Sequence, residues 1–552
     1  MEKRVILAFV LSFAVLYAFR ALYSPPQPAT PAATTVPEIP PVARVEVQPP
    51  ATPEASTKEQ PPAEAPATEV KTEKAEDVSF ETPLYIATFS NVGSVLKSFK
   101  LKRYPDEHGG PVELINQEAG AKVGWPLTQA TGEKAVDEQL KSAGFVVARD
   151  SNKLSFEFAA KGVRALKELQ FDPESYQFTV ESSVTKDGKP VPHALVWQGN
   201  FGDQSIPQEP ARKNAAYQVD SSFKRIALQS LKDQPQDMST LRAGVEDQYF
   251  LAMASLDMPT TVRVSKAEYP GPQGKPVSTL VVASSVHESK PMRIYVGPKQ
   301  RDSLSKADPQ LSAVVDYGYF EFIAKPLVIA LLWLNSYIGN FGWAIIILTV
   351  VINLVLFPLR LKQQVAMLKM QKIQPHMRRL QDQYKKLKAT DPRRAQVQTE
   401  MMGLYKEHGV NPMGGCLPLL LQMPFLFGFY SALAYSIEMR RAPWILWVRD
   451  LSRPDYVFGW IPVLAILMTI SMFIQQKMTP TGNVDPVQAK MMMIMPLMFT
   501  FMFWSQSSGL VLYWLTGSVI SILGQIFINK YWSPHAEAKL NARSRSNEPR
   551  GA

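Results

Sequence analysis

Ten polar side chains lie inside otherwise apolar runs of the C-terminal half: Thr349, Asn353, Gln422, Thr469, Ser471, Thr500, Thr516, Ser518, Ser521 and Gln525. In a hydrocarbon setting such groups can bond one helix to the next, each for about 0.6–2 kcal/mol. They can also line a wet notch that hydrates a polar segment crossing the bilayer. For a lone Ser or Thr the first role is the ordinary one. The amides of Asn353 and Gln422 need more partners and fit the second role better. Six methionines at 491, 492, 493, 495, 498 and 502 offer a soft, adaptable surface for varied helices, or plain lipid-facing surface.

Conventional catalytic chemistry has little to work with. His108, His193 and His287 are far apart and in no ligand spacing, so each is expected at the surface. One cysteine, Cys416, excludes an intrachain disulfide and any site built on several thiolates. We therefore expect no catalytic residues, no metal and no cofactor.

The elements that must position these residues follow from the hydropathy pattern. Residues 1–23 begin Met-Glu-Lys-Arg and continue through an apolar run from Val5 to Phe19, broken at Arg20. The basic start and apolar core fit a signal peptide, but no clear small-x-small cleavage site follows and Arg20 sits where one is expected, so an uncleaved anchor with Lys3 and Arg4 inside is the favoured reading. Residues 24–79 are rich in Pro, Ala, Glu and Thr, the composition of a disordered tether. From 80 to 318, alternating segments recur: Leu84–Phe89, Leu154–Phe158, Tyr176–Val180, Thr261–Val264 and Thr279–Val282. Their period of two predicts a large antiparallel β-sandwich.

Beyond it the chain turns strongly apolar. The run inside 319–340 is closed by Asn335, Ser336 and Asn340, too short to cross about 30 Å of hydrocarbon, and is expected as an interfacial amphipathic helix. Five spans are expected within 341–530, at 341–357, 417–435, 456–475, 491–504 and 510–528. With the N-terminal anchor that makes six. Two of them, 341–357 and 491–504, are short enough to thin the bilayer locally.

Between the first two of these spans, residues 360–411 hold twelve Lys or Arg against four Asp or Glu. Met370, Ile373, Met377, Leu380, Tyr384 and Leu387 recur at spacings of three and four, and Val397, Met401 and Leu404 continue the seam. This predicts an antiparallel helical hairpin, turning at Lys388–Pro392. Its basic surface would comprise Arg378, Arg379, Lys385, Lys386, Arg393 and Arg394. Hairpin, 531–552 tail and N-terminus all carry basic residues and fall on the cytoplasmic side. Arg440, Arg441, Arg449 and Arg453, in the outer loop 436–455, run against that rule.

One stretch is distinctive as a string. Glu400-Met-Met-Gly-Leu-Tyr-Lys-Glu-His-Gly-Val-Asn-Pro-Met-Gly-Gly-Cys-Leu-Pro418 resembles the signature that leads into the third span of the YidC family of bacterial membrane protein insertases. Matches follow in order at Gln422-Met-Pro424, Ala442-Pro443 with Trp447 and Asp450-Leu451, Gln476-Lys477-Met478, Asp485-Pro486 and Ser508–Tyr513. Tyr295–Pro298 and Asp316–Gly318 fit as well. The resemblance implies an insertase and chaperone of the inner membrane, with no ATP hydrolysis. It would receive nascent inner-membrane proteins alone or beside the Sec translocon and release them sideways into lipid. The implied site is a polar groove open to cytoplasm and lipid, with Thr349, Asn353, Gln422, Thr500, Tyr513 and Trp514 lining it. Met423, Leu426, Met498 and Met502 would form an apolar slide. The basic hairpin and tail would meet the ribosome or anionic lipid, and no DNA role is expected.

The family carries an arginine in its second span. Aligning Ile345–Thr349 and Phe357-Pro358 places Asn353 there, with no Lys or Arg between Gly342 and Phe357. The groove is therefore expected to be polar but uncharged at that point. Two other classes stand beside this reading. A secondary transporter needs an inverted repeat and charged mid-membrane pairs; neither is visible. An envelope-polymer protein acting through the sandwich needs paired carboxylates or a His cluster in a cleft.

Overall fold

The structure, a computed structural model, describes residues 69–205, 213–232, 234–271, 274–286, 290–388, 391–407, 417–478 and 486–532. The expected anchor at 1–23, the tether to 68, the Asn411–Cys416 part of the signature, His287 and the tail past 532 lie outside them. So do the side chains of Lys385, Met491 and Met492. The contacts below fall within residues 67–484 and 492–552, which form one compact unit; residues 1–66 with 485–491 form another.

Alternating side chains build the first domain as anticipated. All five expected strands are present, and every pairing is antiparallel. A four-stranded sheet comprises Asp77–Glu81, Tyr85–Ser90, Val95–Pro105 and Pro111–Glu113. A thirteen-stranded sheet is centred on the long strand Phe250–Pro270, which pairs with Gln236–Glu246, Pro276–Ser285 and Met292–Pro298. Along Lys153–Ala160, Leu154, Phe156 and Phe158 turn inward while their neighbours face out. The two sheets share one apolar core, where Phe80 stacks on Phe171 with ring centroids 4.1 Å apart. Each such aromatic pair adds about 0.5–1.5 kcal/mol beyond its burial.

Two local expectations change here. Residues 69–79, expected as the end of the tether, belong to the domain. Val70 bridges Ala159, and Thr72 N donates to Gly144 O at 3.0 Å. Backbone pairing supplies what the composition of the stretch could not advertise. His193, expected at the surface, is buried; its Nε2 lies 2.8 Å from Ser182 Oγ. Its burial follows from the strand Ala194–Trp197, which it directly precedes and which carries it into the sheet.

Lys167 is also wholly buried. Its Nζ donates to Ser94 O, Ser94 Oγ and Leu127 O at 2.6–2.8 Å, tying together two residues in the left-handed backbone region. Burial pushes its pKa down from 10.5 to about 7.

The helices of the C-terminal bundle follow the domain. We label them α1 (Glu321–Ile338), α2 (Phe341–Lys386), α3 (Arg393–Glu407), α4 (Leu417–Tyr435), α5 (Val463–Met478), α6 (Pro486–Phe503) and α7 (Ser508–Phe527). Among the described residues, three stretches are long and apolar enough to cross a membrane: Gly318–Ile338, Phe341–Lys362 and Ser508–Tyr531. The first includes α1, so length alone does not assign it to the interface.

The expected end of a helix at Pro358 is not observed. α2 runs unbroken for 46 residues with Pro358 and Pro375 inside it. Proline costs one hydrogen bond and a local kink, which a well-packed apolar helix tolerates. The 341–357 stretch is therefore not a short span. The span expected from 456 begins later, at Val463, because Tyr456–Val457 and Ile461–Pro462 pair as a small hairpin. α5, with 16 residues, reaches about 24 Å at 1.5 Å per residue.

Asn340 caps α2: its Oδ1 accepts from Gly342 N and Trp343 N, while its Nδ2 donates to Trp444 O. Such a cap contributes about 1 kcal/mol. At the far end, α2 and α3 fold back on each other through Ile373, Met377, Met401, Leu404 and Tyr405.

Candidate functional site

The polar residues of the bundle gather mainly on α2, α4 and α7. On α2, Thr349 Oγ1 donates to Ile345 O at 2.6 Å, and Asn353 Nδ2 donates to Thr349 O at 2.7 Å. Both side chains are buried. Asn353 Oδ1 is left as an acceptor, and Arg360, two turns further along the same helix, fills it at 2.6 Å. The other arm of that guanidinium donates to Ser521 Oγ on α7 at 2.9 Å. One arginine thus clamps α2 to α7 through two polar side chains.

Beside this clamp, the Tyr513 hydroxyl is hydrogen-bonded to the Gln422 side chain and lies within electrostatic reach of Arg360. The Tyr513 ring stacks on Phe429, with centroids 4.1 Å apart. Ser521 in turn donates to Gly517 O, and Gln422 Nε2 approaches the open Cα face of Gly517. A Cβ at 517 would stand 3.9 Å from that nitrogen, an ordinary contact. Arg360, Asn353 and Ser521 are thus hydrogen-bonded to one another, and Gln422 and Tyr513 lie beside them in the apolar bundle.

The other expected residues are placed elsewhere. Thr500 hydrogen-bonds Thr469 between α6 and α5, and each also bonds its own helix backbone. Trp514 packs against Phe499 and Phe503. Of the expected slide, Leu426 is buried in the bundle core and Met423 packs half-buried against it; Met498 is half-buried and Met502 exposed. On the hairpin, Arg378, Arg379 and Lys386 are exposed. Arg393 is ion-paired to Asp391, and Arg394 lies over the Tyr384 ring at 4.5 Å, so these two are engaged within the hairpin.

A family model described as 60Kd inner membrane protein matches residues 333–535, and one described as YidC periplasmic domain matches residues 77–330. The membrane protein insertase YidC of Citrifermentans bemidjiense is 38% identical over 551 residues, covering 96% of this chain and 99% of that protein. The chain belongs to the YidC family of membrane protein insertases. Its β-domain is the family's periplasmic domain, and the protein is an inner-membrane one. The YidC insertase of Geobacter sulfurreducens is 35% identical over 567 residues, covering 98% of this chain and all of that one. Among solved structures, an active YidC insertase with its first transmembrane domain resolved matches at 20% identity and a TM-score of 0.36, covering 84% of this chain and 95% of that one.

Set in the YidC family, the cluster corrects one expectation from the sequence. The site around Asn353 is charged after all, because Arg360 reaches back to it. Arg360 lies three residues past Phe357, beyond the apolar run. The available signal was its spacing: seven positions separate Asn353 and Arg360, which places them on one helical face. Proximity to Pro358 and membership of a basic run disguised it as a topology signal.

Two arginines of the 436–455 loop are also explained. Arg440 is buried, ion-paired to Asp203 of the β-domain, and donates to Pro105 O at 2.9 Å. Burial pushes the Asp203 carboxyl up, but Arg440 outweighs this and holds it below the usual carboxylate range. Arg453 pairs with Glu107 at 3.0 Å, and Arg441 N donates to Asp450 Oδ1. Two of the four charges that break the positive-inside pattern are neutralised by the periplasmic domain itself.

Proposed function

We propose that this chain inserts nascent inner-membrane proteins through a polar groove centred on Asn353, Arg360, Gln422, Tyr513 and Ser521. The observation that carries the reading is the Arg360–Asn353–Ser521 clamp inside an apolar bundle. A translocating polar segment leaves its backbone groups unpaired in hydrocarbon, at several kcal/mol each. A hydrated amide and guanidinium part-way into the bilayer shorten that path. The guanidinium also attracts acidic segments, and its bonds to Asn353 and Ser521 can be exchanged for bonds to a carboxylate. The site moves chains by differential solvation, without a covalent step.

The topology that fits places the N-terminus, the α2–α3 hairpin and the tail in the cytoplasm. α1 then lies on the periplasmic surface. Its entry is held to the β-domain through Asp316 and Arg225, and its exit at Asn340 donates to Trp444 in the loop that docks on the same domain. Both ends of α1 are thus tied to one side, and its exposed Phe322, Ile329 and Trp333 suit the interface. The Sec translocon is a partner for larger substrates. Arg378, Arg379 and Lys386 are the hairpin's contribution to ribosome or anionic-lipid contact.

The test is photocrosslinking to a stalled nascent membrane protein from a photoreactive residue at 353, 422 or 513. Adducts are expected from all three positions. A chain that inserts its substrate yet gives no adduct from any of them would falsify the groove.

A further inference from the structure

Two loops on the β-domain side of the bundle display apolar side chains at a conformational cost. In the first, Trp444 N donates to Val448 O at 2.9 Å and closes a tight turn with Leu446 at its tip. In the second, the hairpin Tyr456–Val457 with Ile461–Pro462 carries Phe458, Gly459 and Trp460 at its tip. Leu446 has φ +52° and Phe458 φ +53°, the left-handed region that bulky residues avoid. Both project outward, as does Trp460: Leu446 is 80% exposed, Phe458 87% and Trp460 64%. In water this would combine backbone strain with exposed apolar surface, and nothing would offset either.

The display is rigid. Asp455, buried just before the hairpin, accepts from Leu464 N at 2.7 Å and from Trp447 Nε1 at 3.1 Å. One carboxylate therefore joins both loops to the first turn of α5. The first loop is further fixed by Asn340 and by Trp343, whose ring meets Trp444 edge-on at 5.9 Å. Arg449, in the first loop, is exposed.

We infer that the loops 444–449 and 456–462 form a lipid-seated wedge, with Leu446, Phe458 and Trp460 in the headgroup and acyl boundary of the outer leaflet and Arg449 on a lipid phosphate. The hairpin leads straight into α5, so the tips stand at the level where that helix leaves the bilayer. Tyr and Trp are the residues that this boundary favours. A guanidinium beside exposed aromatics matches a phosphate over acyl chains. Each tip is carried by a tight turn and projects into the open, so neither offers a folded partner a groove to fill. Glycine would adopt both left-handed positions without strain, so Leu and Phe there serve what lies outside the chain.

The wedge is tested on the full chain carrying Cys416→Ser. Phe458→Cys, labelled with an environment-sensitive fluorophore, is reconstituted into vesicles of phosphatidylethanolamine and phosphatidylglycerol. His108→Cys on the β-domain is the aqueous control. Lipids spin-labelled near the headgroup should remove most of the emission at 458 and little at 108, and aqueous iodide should do the reverse. Equal iodide quenching at both sites overturns the proposal. A second measurement keeps the aromatic ring: benzoylphenylalanine at 458, irradiated in cells. A mass increment of one phospholipid supports the wedge. A discrete protein adduct in its place assigns the tips to a protein partner and overturns it.

Discussion

Asn353 and Arg360 show what a single side chain decides in this molecule. Truncating Asn353 to Ala removes one acceptor of the guanidinium but leaves the charge and Ser521 in place. Arg360→Gln removes the charge itself. We expect Arg360→Gln to reduce insertion of substrates with acidic translocated segments about tenfold, against about twofold or less for Asn353→Ala, since charged hydrogen bonds are about twice as strong as neutral ones. Arg360→Lys should recover part of the loss. Neutral substrates should respond weakly to all three; reconstituted insertion with matched acidic and neutral tails is the measurement. Lys167 makes a second residue-scale prediction. Below about pH 7 both the folded and unfolded states hold its proton, and the buried charge costs stability in full. Between about pH 7 and its ordinary 10.5, the folded protein has released the proton while the unfolded chain keeps it, so stability rises with pH. Thermal unfolding of wild type relative to Lys167→Met should therefore move in favour of wild type from about pH 7 to about pH 9. A pH-independent difference would refute the assignment. The amides at 353 and 422 were legible because polarity inside an apolar run is conspicuous. Arg360 was marked by its spacing from Asn353 but disguised by the basic run around it, and Lys167 was not legible, since only the three-dimensional course of the chain takes it beneath a second sheet.

Elements were readable where one periodicity governs them. Strands of period two appeared where expected, and the α2–α3 seam packs through Ile373, Met377, Met401 and Leu404 as its spacing implied. Boundaries failed where two signals compete. At Pro358 the breaker lost to a continuous apolar and basic helix. At 456–462 an apolar run hid a hairpin, with Gly459 at φ +83° supplying the turn and Asp455 the start of α5. The junction of α2 with the 436–455 loop is tight. A Cβ at Gly342 would stand 2.1 Å from Trp444 Cδ1. Gly342→Val should therefore push Trp444 aside, loosen the Asn340 contact and lower stability by about 1–3 kcal/mol, as overpacking does. Thermal unfolding in a mild detergent checks it; a stability equal to wild type would mean that the indole yields freely.

At the scale of the whole molecule, the periplasmic domain and the loop after α4 are locked by the Arg440–Asp203 pair. Either partner alone would be a buried, uncompensated charge. Asp203→Ala or Arg440→Ala should each destabilise the chain by about 3–5 kcal/mol, and the double variant by clearly less than the sum. Additive losses would show that the two do not act as a pair. The same coupling bears on removing the domain. A chain lacking 77–314 should keep its insertion activity better when Arg440 is also replaced by Gln, because the domain otherwise leaves that charge behind without Asp203. Family and architecture were legible from a string of residues, but this docking was not, since its partners are 237 positions apart. The unbroken course of α2 has a mechanical meaning. From Pro358 to Lys386 the helix extends about 42 Å at 1.5 Å per residue. A bend of about 10° at that proline would swing the hairpin tip by about 7 Å, so a rod rooted at Asn340 among the periplasmic contacts acts as a lever. A load on the hairpin tip would apply torque at Arg360, two residues past the fulcrum, and pull its guanidinium away from Asn353 or press it back.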